Sequence, residues 1–189
     1  MLPEEFEQLI AQREDETLEF KREMPTSSDL AKLVTAFYNT RGGDIVFGVE
    51  DGTGRMAGVT NPQGIEEGLV NILRARTALD VMPTVEFVSY QGKEFVVVRC
   101  PQGVHKPYLV SGETRPTIRV GSSNRPAQDE EVRRLYVEGS EGGFEALPCR
   151  KASLSDLSEQ LIGEYVRRRE GTSGQGDEGT RRRGEWATR

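Results

Sequence analysis

The chain has 189 residues, 35% hydrophobic and 30% charged, a balance that suits one domain with a sizeable core and leaves a polar remainder to be located. A formal net charge of −6 excludes a broadly basic surface that would hold nucleic acid by charge alone. No apolar run approaches the roughly 18 residues of a membrane span, and the acidic, amphipathic opening MLPEEFEQLIAQRED is unlike a secretory signal, so the expected compartment is the cytoplasm.

In chain order, Phe6, Leu9 and Ile10 predict a short amphipathic helix within residues 3–13, and TLEFK (17–21) alternates as a half-buried strand, with Glu19 and Lys21 on one face. Thr26-Ser27-Ser28-Asp29 supplies a helix cap, after which Leu30, Leu33, Val34, Phe37 and Tyr38 recur at helical spacing until Gly42-Gly43 stops the helix. DIVFGVED (44–51), the turn Gly52-Thr53-Gly54 and RMAGVT (55–60) read as a β-hairpin. IEEGLVNILRAR (65–76) predicts a helix, and TVEFVSY, the turn QGK and EFVVVRC predict a second hairpin over 84–100. KPYLV (106–110) and TIRVG (117–121) suggest two short strands, and QDEEVRRLY (128–136) a closing helix. EGSEGG (138–143) marks a boundary, followed by a helix in SLSDLSEQLIGEYVRRR (153–169) and an apolar-poor, disordered end.

The expected fold is therefore α+β, a mainly antiparallel sheet with helices packed on one side, plus a C-terminal helix and a disordered tail. The domains are 1–138, a linker and additional helix at 139–170, and the tail at 171–189. Residues 1–138 hold 16 Lys and Arg against 22 Asp and Glu, while 139–189 hold 9 of each, so the folded part carries the whole acidic excess. Cys100 and Cys149 each adjoin a proline without a CxxC or a neighbouring histidine, which argues against a disulfide or zinc framework.

The glycine-rich stretch YNTRGGDIVFGVEDGTGR (38–55) invites a phosphate-loop reading, but the lysine and hydroxyl of GxxxxGK[ST] occur nowhere in the chain. Gly52-Thr53-Gly54 also lies between two β-like runs, where a dinucleotide fingerprint needs a strand followed by a helix. Helix stop and hairpin turn explain these glycines better. No nucleotide cofactor is expected.

Four segments together, ETLEFKRE (16–23), AFYNTRGGDIVFGVEDGTG (36–54), CPQGVHKPYLV (100–110) and TIRVGSSNRPA (117–127), resemble the Schlafen AlbA-type (AlbA_2) domain family, catalogued as DNA-binding. The resemblance runs over roughly residues 10–137. It departs at Tyr38, where a small residue is usual, and at Thr117, where an aromatic is usual. It implies a compact nucleic-acid-binding module, for DNA or RNA, of regulatory role. In bacterial members that module precedes winged-helix and ATPase-like segments in longer proteins described as transcriptional regulators or ATP-binding proteins.

Animal relatives with this core are RNA endonucleases using three carboxylates. Carried over by resemblance, the catalytic candidates are Glu19, Asp51 and Glu16, with Glu19 and Asp51 as ligands of Mg²⁺ or Mn²⁺ if the chain is a nuclease. Hard divalent cations suit clustered carboxylates, which position and activate water against a phosphodiester. Glu16 stands only three residues before Glu19, whereas the nuclease pattern is wider. The plain structural reading weighs against all three: Glu19 on a solvated strand face, and Asp51 chosen for its turn.

For phosphate contacts the candidates are Lys21, Arg22, Lys32, Arg41, Lys106, Arg119, Ser122 and Arg125, most of them inside the motif segments, where one shared exposed face would neutralise a backbone. The alternative is charge spread without a site. His105 has no second histidine at ligand spacing and reads as a polar surface residue. A nucleotide-sensing or assembly role is a third reading, and self-association into a homo-oligomer is left open by the sequence.

Overall fold

The structure, a computed structural model, describes residues 1–140, within the first of two units of the chain (Met1–Leu147), and Ser158 of the second (Pro148–Arg189). The helix expected over 153–169 and the tail over 171–189 fall outside the described residues, Ser158 apart.

Helix α1 (Pro3–Ile10) starts on a proline whose missing N–H costs nothing at a helix N-terminus, and the Glu5 carboxylate accepts the Leu2 N–H at 2.7 Å. Strand β1 (Leu18–Lys21) leads to α2 (Ser27–Asn39), where the Thr26 hydroxyl accepts the Asp29 N–H at 3.3 Å as expected of its cap. The Gly42 N–H donates back to the Phe37 carbonyl, and Gly42 takes the left-handed backbone (φ 74) that ends such helices. Next come β2 (Gly43–Phe47), α3 (Pro62–Arg76), β3 (Thr84–Tyr90) and β4 (Lys93–Cys100). Gln91 and Gly92 join β3 to β4 with positive φ at both residues, the geometry that suits a twisted two-residue hairpin. Strands β5 (Thr117–Val120) and β6 (Ser123–Pro126) precede α4 (Asp129–Glu138).

The first four strands form one sheet in the order β1-β2-β4-β3, with β1 and β2 parallel and the other pairs antiparallel. A parallel pair needs a crossover, and α2 supplies it. Side-chain alternation divides the core. Ile45, Phe47, Val96 and Val98 pack beneath α2 and α3 with Leu30, Val34, Phe37, Leu69 and Leu73, while Val46, Phe95, Val97 and Phe20 face the opposite way. The two long helices thus share one side, and short α1 seals the other through fully buried Phe6.

Two local expectations are corrected. The hairpin over 44–60 does not form, because β2 is already paired on both edges; Val49 and Met56 keep only an isolated bridge. KPYLV is not a strand, and only Val110 makes a bridge, to Thr77. Ser123–Pro126, given no element in the sequence reading, is strand β6, paired with β5 in a separate two-stranded sheet against α2. Among the described residues no helix is long and apolar enough to cross a membrane.

Candidate nucleic-acid interface

The sequence-predicted acidic and basic residues meet at the end of β1, but on each other. Glu19 is buried, and both of its oxygens are occupied: Oε1 lies 2.7 Å from Lys21 Nζ and Oε2 lies 2.5 Å from Arg119 Nη2. Lys21 Nζ also donates to Asp51 in the turn after β2. Burial alone would lower the Lys21 ammonium, but its hydrogen bonds to Asp51 and Glu19 outweigh that and hold it above its ordinary value. Glu19 and Asp51 therefore meet on a lysine.

Glu16 is not with them; its carboxylate lies 3.5 Å from Arg41. The carboxylate that turns back over β1 is Glu14, which accepts the Phe20 N–H at 2.8 Å and lines a cavity of about 640 Å³ with Gly52, Thr53, Gly54 and Ser122. A divalent cation needs several carboxylate oxygens aimed at one point. Here both oxygens of Glu19 and Oδ2 of Asp51 are spent on Lys21 and Arg119, and among the described residues no three carboxylate, histidine or cysteine groups gather to hold a metal ion. As they stand, these residues do not fit Mg²⁺ or Mn²⁺.

The predicted cations do not share one face. Arg119 has 0% of its side chain exposed: it donates to the carbonyls of Asp15 and Leu18 and to Asn124 Oδ1, and its guanidinium sits 4.6 Å from the centroid of the Phe37 ring. Lys106, 3% exposed, donates to the Thr40 carbonyl and to Glu138. Both leave the set of phosphate contacts, because a buried cation with its donors satisfied cannot reach a strand outside. Arg22 pairs with Glu50 and Glu23, and Arg41 with Glu16. His105 is exposed, as expected. Its Nδ1 lies 2.9 Å from Asp80, whose carboxyl burial would raise but the hydrogen bonds from His105 and Tyr108 bring below its usual value.

Two predicted cations do come together. Lys32 on α2 and Arg125 on β6 line a groove of about 440 Å³, joined by Arg115, which the sequence reading passed over. Thr114, Thr117 and Asn124 add hydroxyl and amide groups to its walls. Its position follows from Asn39: the buried amide donates to the Tyr108 and Thr117 carbonyls and accepts the Tyr108 N–H, tying the end of α2 to the start of β5. Arg115 had a sequence signal in its place between two turn-forming segments next to Pro116, but nothing in the spacing says which way it points.

Known proteins place this architecture. The DIP2311 protein of Corynebacterium diphtheriae superposes with a TM-score of 0.54 at 22% identity, over 93% of this chain and 40% of that one, a likeness of fold. The N-terminal domain of an ATP-dependent DNA helicase RecG-related protein from Nitrosomonas europaea gives a TM-score of 0.49 at 22% identity, over 67% of this chain and 91% of that domain. The chain thus spans about two-fifths of the first of these proteins. No curated protein sequence matches it. The profile described as Schlafen, AlbA_2 matches residues 14–128, well over half of the sequence, and the chain belongs to that family.

Proposed function

We propose that the chain is a nucleic-acid-binding module, regulatory and not catalytic, that holds a phosphate backbone in the groove between α2 and the β5–β6 hairpin. The observation that carries this reading is the convergence of Lys32, Arg115 and Arg125 on that groove, with three neutral polar side chains beside them. Cations and hydroxyls fix a backbone, whereas base readout needs groups that reach base edges. The lining contains no aromatic side chain, so stacking contributes nothing to recognition there. Family membership supports the same class of ligand, and longer relatives supply the setting: a module that works beside winged-helix or ATPase-like segments.

The test is fluorescence anisotropy with labelled duplex DNA, single-stranded DNA and RNA across a salt series. Binding should weaken as salt rises, and replacing Lys32, Arg115 and Arg125 together by alanine should remove most of it at every salt concentration. Binding indifferent to these three residues sinks the proposal. A metal-dependent nuclease is the second reading, favoured by the approach of Glu19 and Asp51 to one point, and disfavoured because protein cations fill that point.

A further inference from the structure

The cations of the groove are not bare. Lys32 Nζ lies 2.7 Å from Glu113 Oε1, Arg115 Nη2 lies 2.6 Å from Asp129 Oδ1, and Arg125 meets Glu131 through both terminal nitrogens at 2.8 and 2.7 Å. The acids come from two places, the loop before β5 and the first turn of α4. To a guanidinium, a carboxylate offers the same pair of acceptor oxygens as a phosphate.

We infer that Glu113, Asp129 and Glu131 are built-in phosphate mimics, and that a nucleic-acid backbone enters the groove by displacing them from Lys32, Arg115 and Arg125. This inference rests on the nucleic-acid reading of the groove. Lys32–Glu113 and Arg115–Asp129 are exposed pairs, which are weak and exchange readily, while Arg125–Glu131 is partly buried and two-pronged and is the strongest part of the guard; a strand presents several linked phosphates at once. The guard therefore sets a threshold: a single phosphate does not open the groove, whereas a polymer does. It also predicts an unusual salt response. Freed carboxylates take up cations from solution, which offsets the counterions released from the nucleic acid and flattens the salt dependence.

The experiment compares wild type with Glu113→Gln/Asp129→Asn/Glu131→Gln on one labelled duplex and one labelled RNA over a salt series. Glutamine at 131 keeps a side-chain oxygen to accept the Gln128 N–H, so α4 retains its start. Glu4→Gln/Glu7→Gln/Glu67→Gln, on exposed positions of α1 and α3, changes net charge equally away from the groove. The guard variant should bind about tenfold tighter, with a steeper salt slope, and the control should change far less. Equal tightening in the control, or no tightening in the guard variant, overturns the inference while leaving the groove reading intact. If neither wild type nor guard variant binds, the groove reading itself fails and takes the inference with it.

Discussion

Arg119 and Glu19, one hundred residues apart in the chain, meet in an ion pair withdrawn from water, with Nη2 and Oε2 at 2.5 Å. The same guanidinium caps the carbonyls of Asp15 and Leu18, so one side chain fastens the β5–β6 sheet to the entry of β1. Removing one member of a buried pair strands the other, which costs more than the pair itself contributed.

Arg119→Met should accordingly cost about 3 to 5 kcal/mol, read as a fall in the urea unfolding midpoint. Arg119→Lys should recover little, because one ammonium cannot replace a planar fork that reaches several acceptors. Stability within about 1 kcal/mol of wild type would show that the pair is solvated in solution.

That side chain also marks where sequence reasoning stops. TIRV alternates, and Ile118 inward predicts Arg119 outward. The structure buries both, because the small sheet has α2 on one side and the β1 entry against the other. Elements with local signals were legible: α2 from its Thr26 cap and glycine stop, and β3–β4 from the glycine turn between two β-branched runs, which the structure shortens from QGK to Gln91-Gly92. What was illegible depends on pairing at a distance. Nothing local in TLEFK announces a parallel partner in GDIVF, and that pairing is what denied residues 44–60 their hairpin. The site behaved likewise: alternation put Lys21 on the face of Glu19, but nothing local showed that it would bridge Glu19 to Asp51.

Asn39 offers a second stability test. All of its polar atoms are used inside the protein, and Asn39→Ala leaves the Tyr108 N–H and the Tyr108 and Thr117 carbonyls without their partner. A loss of about 3 kcal/mol is expected. Because Thr117 lines the groove, amide exchange measured by mass spectrometry should rise in β5 and β6 before it rises in β3 and β4.

Gly43 begins β2 with φ 150, and a Cβ there would stand 2.2 Å from the Thr17 carbonyl oxygen. The obstacle is backbone in the β1–β2 ladder, which cannot swing aside. Gly43→Ala should lose about 2 kcal/mol or more, seen in thermal unfolding, whereas Gly54→Ala, with open space around its Cβ, should lose only the strain of its positive φ.

Acid should destabilise the protein. Arg125 holds the Glu131 carboxyl down to about 2, Arg115 lowers Asp129, and the Met1 amine lowers Glu86. Groups with depressed values stabilise the fold above their unfolded values, near 3.8 for Asp and 4.5 for Glu, and that contribution disappears as pH falls through the folded ones. Asp44 opposes the trend, since burial raises its carboxyl and protonation relieves it. Lys21, raised, contributes below its ordinary 10.5 and is lost only in strong alkali. Urea midpoints should stay level from about pH 6 to 8 and drop between about pH 4.5 and 2.

The carboxylates at the end of β1 make the last prediction. Glu19 and Asp51 are near enough to share one ammonium, and a divalent ion would have to compete with Lys21 and Arg119 for the same oxygens. A covalently tethered cation holds an advantage in effective concentration over a free one. Calorimetric titration with Mn²⁺ should therefore show no saturable heat, and tRNA or single-stranded DNA incubated with the protein and Mn²⁺ should stay intact. Cleavage that is abolished by Glu19→Ala with Asp51→Ala would mean that Lys21 yields its place in solution, and would restore the nuclease reading. Cleavage that survives both substitutions would point to a contaminating enzyme or to other residues, and the Lys21-centred pair would keep its structural role.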